Sequence, residues 1–286
     1  MIQINVPATS ANLGAGFDTL GIALNRYNKF YIKEIEKVDF INENLVYKSY
    51  RKVFEILDKP IVEVEIIIDT DIPLSRGLGS SAACIVGGVM GANEILGNLL
   101  SKEEILEIST MIETHPDNVA PAIYGGMVTS VMEGDKVYYC QIPIKNKLEF
   151  IALVPDFKLS TKMARGVLPE IIPYKDGVFN VGRVGLLLGA LTTGRDDLLK
   201  HAFKDKLHQP YRGDLIPGFN EIMDFANYSG ALGCYLSGAG PTIMCISNEG
   251  NLGFKDSIKV FMENNYPGWM IYSHLVDEIG ATVRAD

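Results

Sequence analysis

The chain has 286 residues, 47% of them apolar and 21% charged, which is the balance of a folded globular protein rather than a disordered one. That length holds one large domain or two ordinary ones. A net charge of −9, with no Lys/Arg cluster to offset it, argues against a nucleic-acid partner. Cys84, Cys140, Cys234 and Cys245 form no Cys-x-x-Cys pair and lie among apolar neighbours, so they read as buried free thiols in a reducing cytoplasm. The four histidines include no His-x-x-x-His pair. The start, Met1-Ile-Gln-Ile-Asn-Val, alternates like a strand and is no signal peptide, and no apolar run approaches the roughly 18 residues of a membrane span.

In chain order, residues 2–6 and 21–36 read as strands separated by a turn from Asn12 to Asp18. A helix over 46–57 and an alternating strand over 62–68 follow. The helix that should start at Ser80 and Ser81 and run to about Ala92 is rich in Gly, Ala and Cys on several faces, as a helix packed inside the fold would be. Ser101-Lys-Glu-Glu104 is a capping box, and Ile105, Ile108 and Ile112 form one apolar stripe on a helix that ends near Thr114. His115-Pro-Asp-Asn reads as a turn, and residues 125–144 as paired strands. The chain turns polar at Asn146 and opens a new strand at Phe150, so the boundary falls between residues 1–147 and 148–286. Helices over 178–193, 195–208 and 217–228, a hairpin around Ser237-Gly-Ala-Gly240, a helix over 254–265 and a strand over 269–275 complete the second unit. Strands and helices mix without a strict βαβ rhythm, which favours an α+β fold.

The unusual segment is Pro73-Leu74-Ser75-Arg76-Gly77-Leu78-Gly79-Ser80-Ser81-Ala82-Ala83. Two glycines allow uncommon backbone angles and a close ligand approach, and the helix that follows offers unpaired N–H groups and a positive dipole end suited to phosphate. An ordinary N-capped buried helix explains the same spacing equally well. No Gly-x-x-x-x-Gly-Lys-Ser/Thr loop is present. The looser dinucleotide pattern fits poorly, because the preceding strand stops short of Gly77 and no acidic residue ends a second strand.

Taken with Val6-Pro-Ala-Thr-Ser-Ala-Asn12-Leu-Gly14-Ala-Gly16-Phe-Asp18 and Leu236-Ser-Gly238-Ala-Gly240-Pro-Thr242, this loop resembles the motif set of the GHMP kinases. That superfamily of small-molecule kinases is named for its galactokinase, homoserine, mevalonate and phosphomevalonate members. His115-Pro-Asp117-Asn118, Ala164-Arg165-Gly-Val-Leu-Pro169 and Leu207-His208-Gln-Pro-Tyr211-Arg212 support it, and within the superfamily the match is nearest to the homoserine kinases. Ala15 departs from the proline often found there.

The resemblance implies a two-domain α+β fold, with a left-handed βαβ unit in the N-terminal half, against the usual right-handed rule, and a ferredoxin-like C-terminal half. It implies ATP and Mg²⁺ as cofactors and L-homoserine as acceptor, phosphorylated to O-phospho-L-homoserine on the way to threonine. It leaves room for a homodimer. The Pro73–Ala83 loop would wrap the triphosphate, with Ser81 and Glu107 holding Mg²⁺; helical geometry alone sets Glu107 well away from the isoleucine stripe, as a solvated residue. Asn12, Asp18, Thr161, Arg165, Arg212 and Gly238 would hold the acceptor, the arginines because a guanidinium takes a carboxylate bidentately. Asn118 stands where other members carry a basic aspartate. Transfer would thus be direct, with Asn118, Asp18 and Arg165 as the catalytic set and no strong protein base. His115 reads either as a charge neutraliser or as a turn residue. Competing readings are another GHMP-type kinase, acting on mevalonate or a diphosphocytidyl sugar alcohol, and a nucleotide-binding regulator without catalysis.

Overall fold

The computed structural model describes residues 1–36 and 44–285. The first half runs β1 (Ile2–Ala11), β2 (Leu20–Glu34), α1 (Leu45–Ile56), β3 (Val64–Asp69), α2 (Ser80–Ile95), α3 (Lys102–Glu113), α4 (Pro116–Tyr124), β4 (Met127–Glu133) and β5 (Lys136–Ile142). The second runs β6 (Leu148–Val154), α5 (Thr161–Gly166), α6 (Tyr174–Thr193), α7 (Asp196–Ala202), α8 (Gln209–Arg212), α9 (Phe219–Tyr228), β7 (Gly233–Leu236), β8 (Ile243–Asn248), α10 (Leu252–Asn265), β9 (Met270–His274) and β10 (Thr282–Ala285).

Two antiparallel sheets carry the fold. The first has the order β10-β1-β2-β4-β5, and β3 also pairs with β2. Strands β3 and β4 share one edge of β2, with Ile32 opposite Ile66 and Ile22 opposite Met127, so both run the same way along it. Helices α2, α3 and α4 connect them, which is the βαβ unit of this half. The second sheet has the order β7-β8-β6-β9. Its chain sequence of strand, helices, two strands, helix and strand, with the first and third strands central, is the ferredoxin-like arrangement.

Alternation along β6 explains how the two halves join. Phe150, Ala152 and Val154 point into the large core shared with β1, β2 and α2, whereas Ile151 and Leu153 point into a second core beneath α9 and α10. Helix α2 sits at the centre of the large core. A Cβ on Gly88 would come within 2.2 Å of the Val46 carbonyl, so this glycine is what lets α1 pack directly on α2.

Strand β10 returns to pair with β1, Val283 opposite Ile4, and so belongs to the first sheet. Three expectations need correction. Residues 115–118 are not a free turn. Thr114 takes a left-handed conformation that ends α3, and α4 starts at once with His115 as its N-cap and Pro116 in its first turn. The helix expected over 195–208 stops at Ala202, because the Asp205 carboxylate takes the N–H groups of Leu207, His208 and Gln209 and starts α8 instead. Cys140 is exposed, since it falls on the outward face of the alternating strand β5.

Candidate active site

The Pro73–Ala83 loop is pinned from three sides. Thr9 N–H donates to the Leu78 carbonyl, Thr242 N–H to the Arg76 carbonyl, and Ser237 Oγ to the Gly77 carbonyl. Arg76 holds it from the fourth, donating to the main-chain carbonyls of Pro155 and Asp156 at 2.9 and 2.6 Å. Gly77 and Gly79 both take positive φ. A Cβ on Gly79 would lie 1.9 Å from Thr9 Oγ1, and one on Gly77 would lie 2.3 Å from the Ser237 carbonyl. The glycines are therefore required first by the loop's seating against β1 and the β7–β8 turn, before any ligand approaches.

Leu78, Ala82 and Ala83 bury their side chains in the core, and Leu74 points to solvent. Leu78, Ala82 and Ala83 therefore offer a ligand only main chain. The polar side chains at the helix start are Ser80 and Ser81. Ser80 is buried, and its hydroxyl has no hydrogen-bond partner among the described residues. Gly79 caps α2 without any side-chain acceptor, so the first N–H groups of the helix are left for one. An oxyanion at this turn fits both observations.

Ser81 Oγ donates to Glu113 Oε2 at 2.8 Å. Burial pushes the Glu113 carboxyl above its usual range, partly offset by that hydrogen bond. The acidic partner expected at Glu107 is on another face of α3, where it pairs with Lys136 at 3.0 Å. The carboxylate beside Ser81 is Glu113, nearly two turns further along the helix.

The acceptor end gathers residues from both halves. Asp18, at φ 53, receives both terminal nitrogens of Arg165 at 2.8 and 3.1 Å. His115 Nε2 is 3.7 Å from the same carboxylate. Asn12 Oδ1 accepts the Asp18 N–H, and its amide nitrogen donates to the Gly238 carbonyl, which also accepts from Arg212. Arg212 is only 1% exposed; it donates to the Ala164 carbonyl and lies over the Phe17 ring, 4.9 Å from its centroid. Burial, then the neighbouring Arg165, lower its pKa to about 10. Phe17 stacks on His208, whose Nε2 is bonded to the Gly14 carbonyl, so the second half fixes the Asn12–Asp18 turn.

Asp117 is buried beside this cluster. Burial, then the charges of Asp18 and Glu113, push its carboxyl up to about 7. Asn118 donates to Asp117 Oδ1 and accepts from Thr9 Oγ1 at 2.8 Å, which ties it to the glycine loop. Burial keeps His115 below its ordinary pKa, partly offset by Asp18. Two clusters are thus joined through Thr9, Ser237 and Gly238: oxyanion-seeking main chain at α2, and paired cations and carboxylates at the β1–β2 turn.

Comparison with known proteins agrees with this geometry. The family model "GHMP kinases N terminal domain" matches residues 44–126 and "GHMP kinases C terminal" matches 185–253. A homoserine kinase from Clostridium beijerinckii is 50% identical across 99% of this chain and 98% of its own, and one from Clostridium botulinum is 48% identical over the same shares. The chain belongs to the homoserine kinase family of the GHMP kinases. The crystal structure of the Cytophaga hutchinsonii homoserine kinase superposes with a TM-score of 0.89, at 31% identity, over 99% of this chain and 97% of that one. A mevalonate kinase from L. major, in complex with R-mevalonate, covers 97% of this chain and 96% of its own at a TM-score of 0.72 and 16% identity, a likeness of fold alone.

In this homoserine kinase family member, the six sequence segments converge on one site. Asn12, Asp18, Arg165, Arg212 and Gly238 meet directly, and Asn118 joins them to the loop. Thr161 opens α5 one turn before Arg165 and is exposed, with Ser160 capping the helix beside it. Sequence reasoning gives no role to Glu113 or Thr9; Asp117 stands beside Asn118 in the His-Pro-Asp-Asn string that bears on mechanism, and Glu113 sits two residues before that string. Only the corner at Thr114 reveals that α3 ends at the site.

Proposed function

We propose that this protein transfers the γ-phosphoryl group of ATP to the side-chain hydroxyl of L-homoserine. The observation that carries the reading is the Asp18–Arg165–Arg212 cluster joined to the loop ahead of α2, Arg212 bonding the Gly238 carbonyl and Ser237 the Gly77 carbonyl. Homoserine has a carboxylate, an ammonium and a hydroxyl. Arg165 and Arg212 suit the carboxylate, Asp18 and Asp117 the ammonium, and Asn12 fixes both the turn and the Gly238 carbonyl. The Arg165 fork would turn from Asp18 to the substrate's carboxylate as the ammonium takes its place.

The triphosphate is assigned to the main chain of Gly77–Ala82 and to Ser80, whose buried hydroxyl lacks a partner among the described residues. Ser81 and Glu113 are the residues suited to Mg²⁺, which would neutralise phosphate charge; two protein oxygens accord with a cation that shares its shell with phosphates and water. The acceptor hydroxyl then attacks the γ-phosphorus in line. A new O–P bond forms, the bond to the β-phosphate oxygen breaks, ADP leaves, and the hydroxyl proton passes to a phosphoryl oxygen. Asn118 supplies no base but positions Thr9 and the loop. Alignment and charge neutralisation carry the rate, as a loose transition state requires. The test is ADP release by purified protein with Mg-ATP and either homoserine, mevalonate or no acceptor. Stimulation by homoserine alone is expected, and equal or greater stimulation by mevalonate would overturn the reading.

A further inference from the structure

At the far end of α8 from Arg212, a cleft of about 750 Å³ opens between α7, α8 and α9. Its volume is that of an organic small-molecule site rather than of a packing defect. One wall carries the ammonium groups of Lys200, at the end of α7, and Lys204, in the turn after it, with His201 beside them. That concentration runs against a chain whose net charge is −9. The floor is apolar, with Phe203 and Phe219 both buried.

Two polar groups are informative. Gln209 is 6% exposed, and its Oε1 accepts the Leu236 N–H at 2.7 Å. Its amide nitrogen makes no hydrogen bond to the described residues, so a donor is left over on the cleft wall. Lys204 is in no ion pair among the described residues, whereas Lys206 is already paired with Asp176 at 3.0 Å. Asp205 also lines the cleft, but its oxygens are taken by the Leu207, His208 and Gln209 N–H groups and by Asn180. Asp224 is exposed at the α9 rim. The uncommitted groups are thus mainly donors, and they call for an acceptor-rich ligand.

We propose that this cleft binds a small organic anion with an aromatic or branched aliphatic body, independently of the acceptor site. The anionic group would meet Lys204, Lys200 and the Gln209 amide, and the apolar body would cover Phe203 and Phe219. The probe is 8-anilinonaphthalene-1-sulfonate, whose fluorescence rises in an apolar setting. Titration of the native protein should give one saturable site, weakened at least tenfold by Lys204→Glu and to a lesser degree by Lys204→Gln. Both substitutions are at an exposed position, and an unchanged melting temperature verifies that each variant is folded. Phenyl phosphate should displace the dye at a concentration where inorganic phosphate does not. Unaltered binding in Lys204→Glu, or displacement by Mg-ATP or homoserine, would overturn the proposal without touching the kinase reading.

Discussion

Arg165 and Asp18 meet fork to carboxylate, at 2.8 and 3.1 Å, although α5 and the β1–β2 turn belong to different halves of the chain. Both side chains are about one-third exposed, so the pair itself adds little stability. Its value is positional, since it keeps a guanidinium and a carboxylate at the point where an amino acid's two charges would bind. Arg165→Ala should lower kcat/KM for homoserine roughly 30-fold, about 2 kcal/mol, while KM for ATP stays within twofold. Arg165→Lys should recover little, because an ammonium has no fork. Initial rates with each substrate varied in turn check this, and equal damage to ATP would remove Arg165 from the acceptor site.

Arg212 needs a different reading. It is buried, and it bonds the carbonyls of Ala164 and Gly238. Arg212→Ala would take this donor from the buried Ala164 carbonyl and leave the Gly238 carbonyl with Asn12 alone, so stability should fall by about 2 kcal/mol together with homoserine use. Denaturant unfolding separates the two losses. A variant with wild-type stability and wild-type kinetics would contradict both roles.

Ser81 and Glu113 give the sharpest distinction between sequence and structure. Glu113→Gln and Ser81→Ala should each raise the Mg²⁺ concentration giving half-maximal rate about tenfold, equivalent to 1.4 kcal/mol. Glu107→Gln, which loses only the pairing with the exposed Lys136, should leave that midpoint unchanged. A Mg²⁺ titration of the three variants at fixed ATP decides it, and the reverse pattern would restore the assignment at Glu107.

Asp117 predicts a pH dependence. Its folded pKa is raised from 3.8 to about 7 by burial and by Asp18 and Glu113. A raised folded value means that the folded state holds the proton more tightly. The stability linked to it is complete below about 4 and is lost as pH rises through about 7. Over that window wild type should lose up to about 4 kcal/mol relative to Asp117→Asn, as an upper bound at 1.36 kcal/mol per pH unit. Urea unfolding of both proteins between pH 4 and 8 measures the difference, which should stay flat if Asp117 is ionised throughout. Homoserine use should fall on the acid side of about pH 7, where Asp117 loses the charge proposed to hold the ammonium, and that limb should vanish in Asp117→Asn.

What sequence made legible was set by local rules. The capping box at Ser101 and Glu104 formed as its spacing dictates, with both reciprocal bonds present. The small-residue helix lies in the core, as its Gly and Ala content implied. Residues whose role depends on a tertiary neighbour were harder. Glu107 and Glu113 differ only in which face of α3 meets α2, and the isoleucine stripe alone does not settle that. Arg76 read as part of a phosphate loop, yet its guanidinium turns away to the end of β6. The return of β10 to β1 had no local signal, because pairing across the chain's length depends on which edge remains open. The cationic wall beside α8 was invisible as a run, since Ala, Phe and Asp interrupt it and only the turn after α7 brings it together.

Arg76 supports a last prediction about how the halves communicate. Its Nε and one terminal nitrogen reach the Pro155 and Asp156 carbonyls, fastening the glycine loop to the end of β6. A single ammonium has no planar fork to span both carbonyls, so Arg76→Lys should behave nearly as Arg76→Ala does. Because the loop offers ligands mostly main chain, loosening it should cost ATP rather than homoserine. KM for ATP should rise about fivefold to tenfold in both variants, with homoserine KM and the melting temperature little changed. Full activity in Arg76→Ala would mean that the bonds from Thr9, Thr242 and Ser237 hold the loop by themselves.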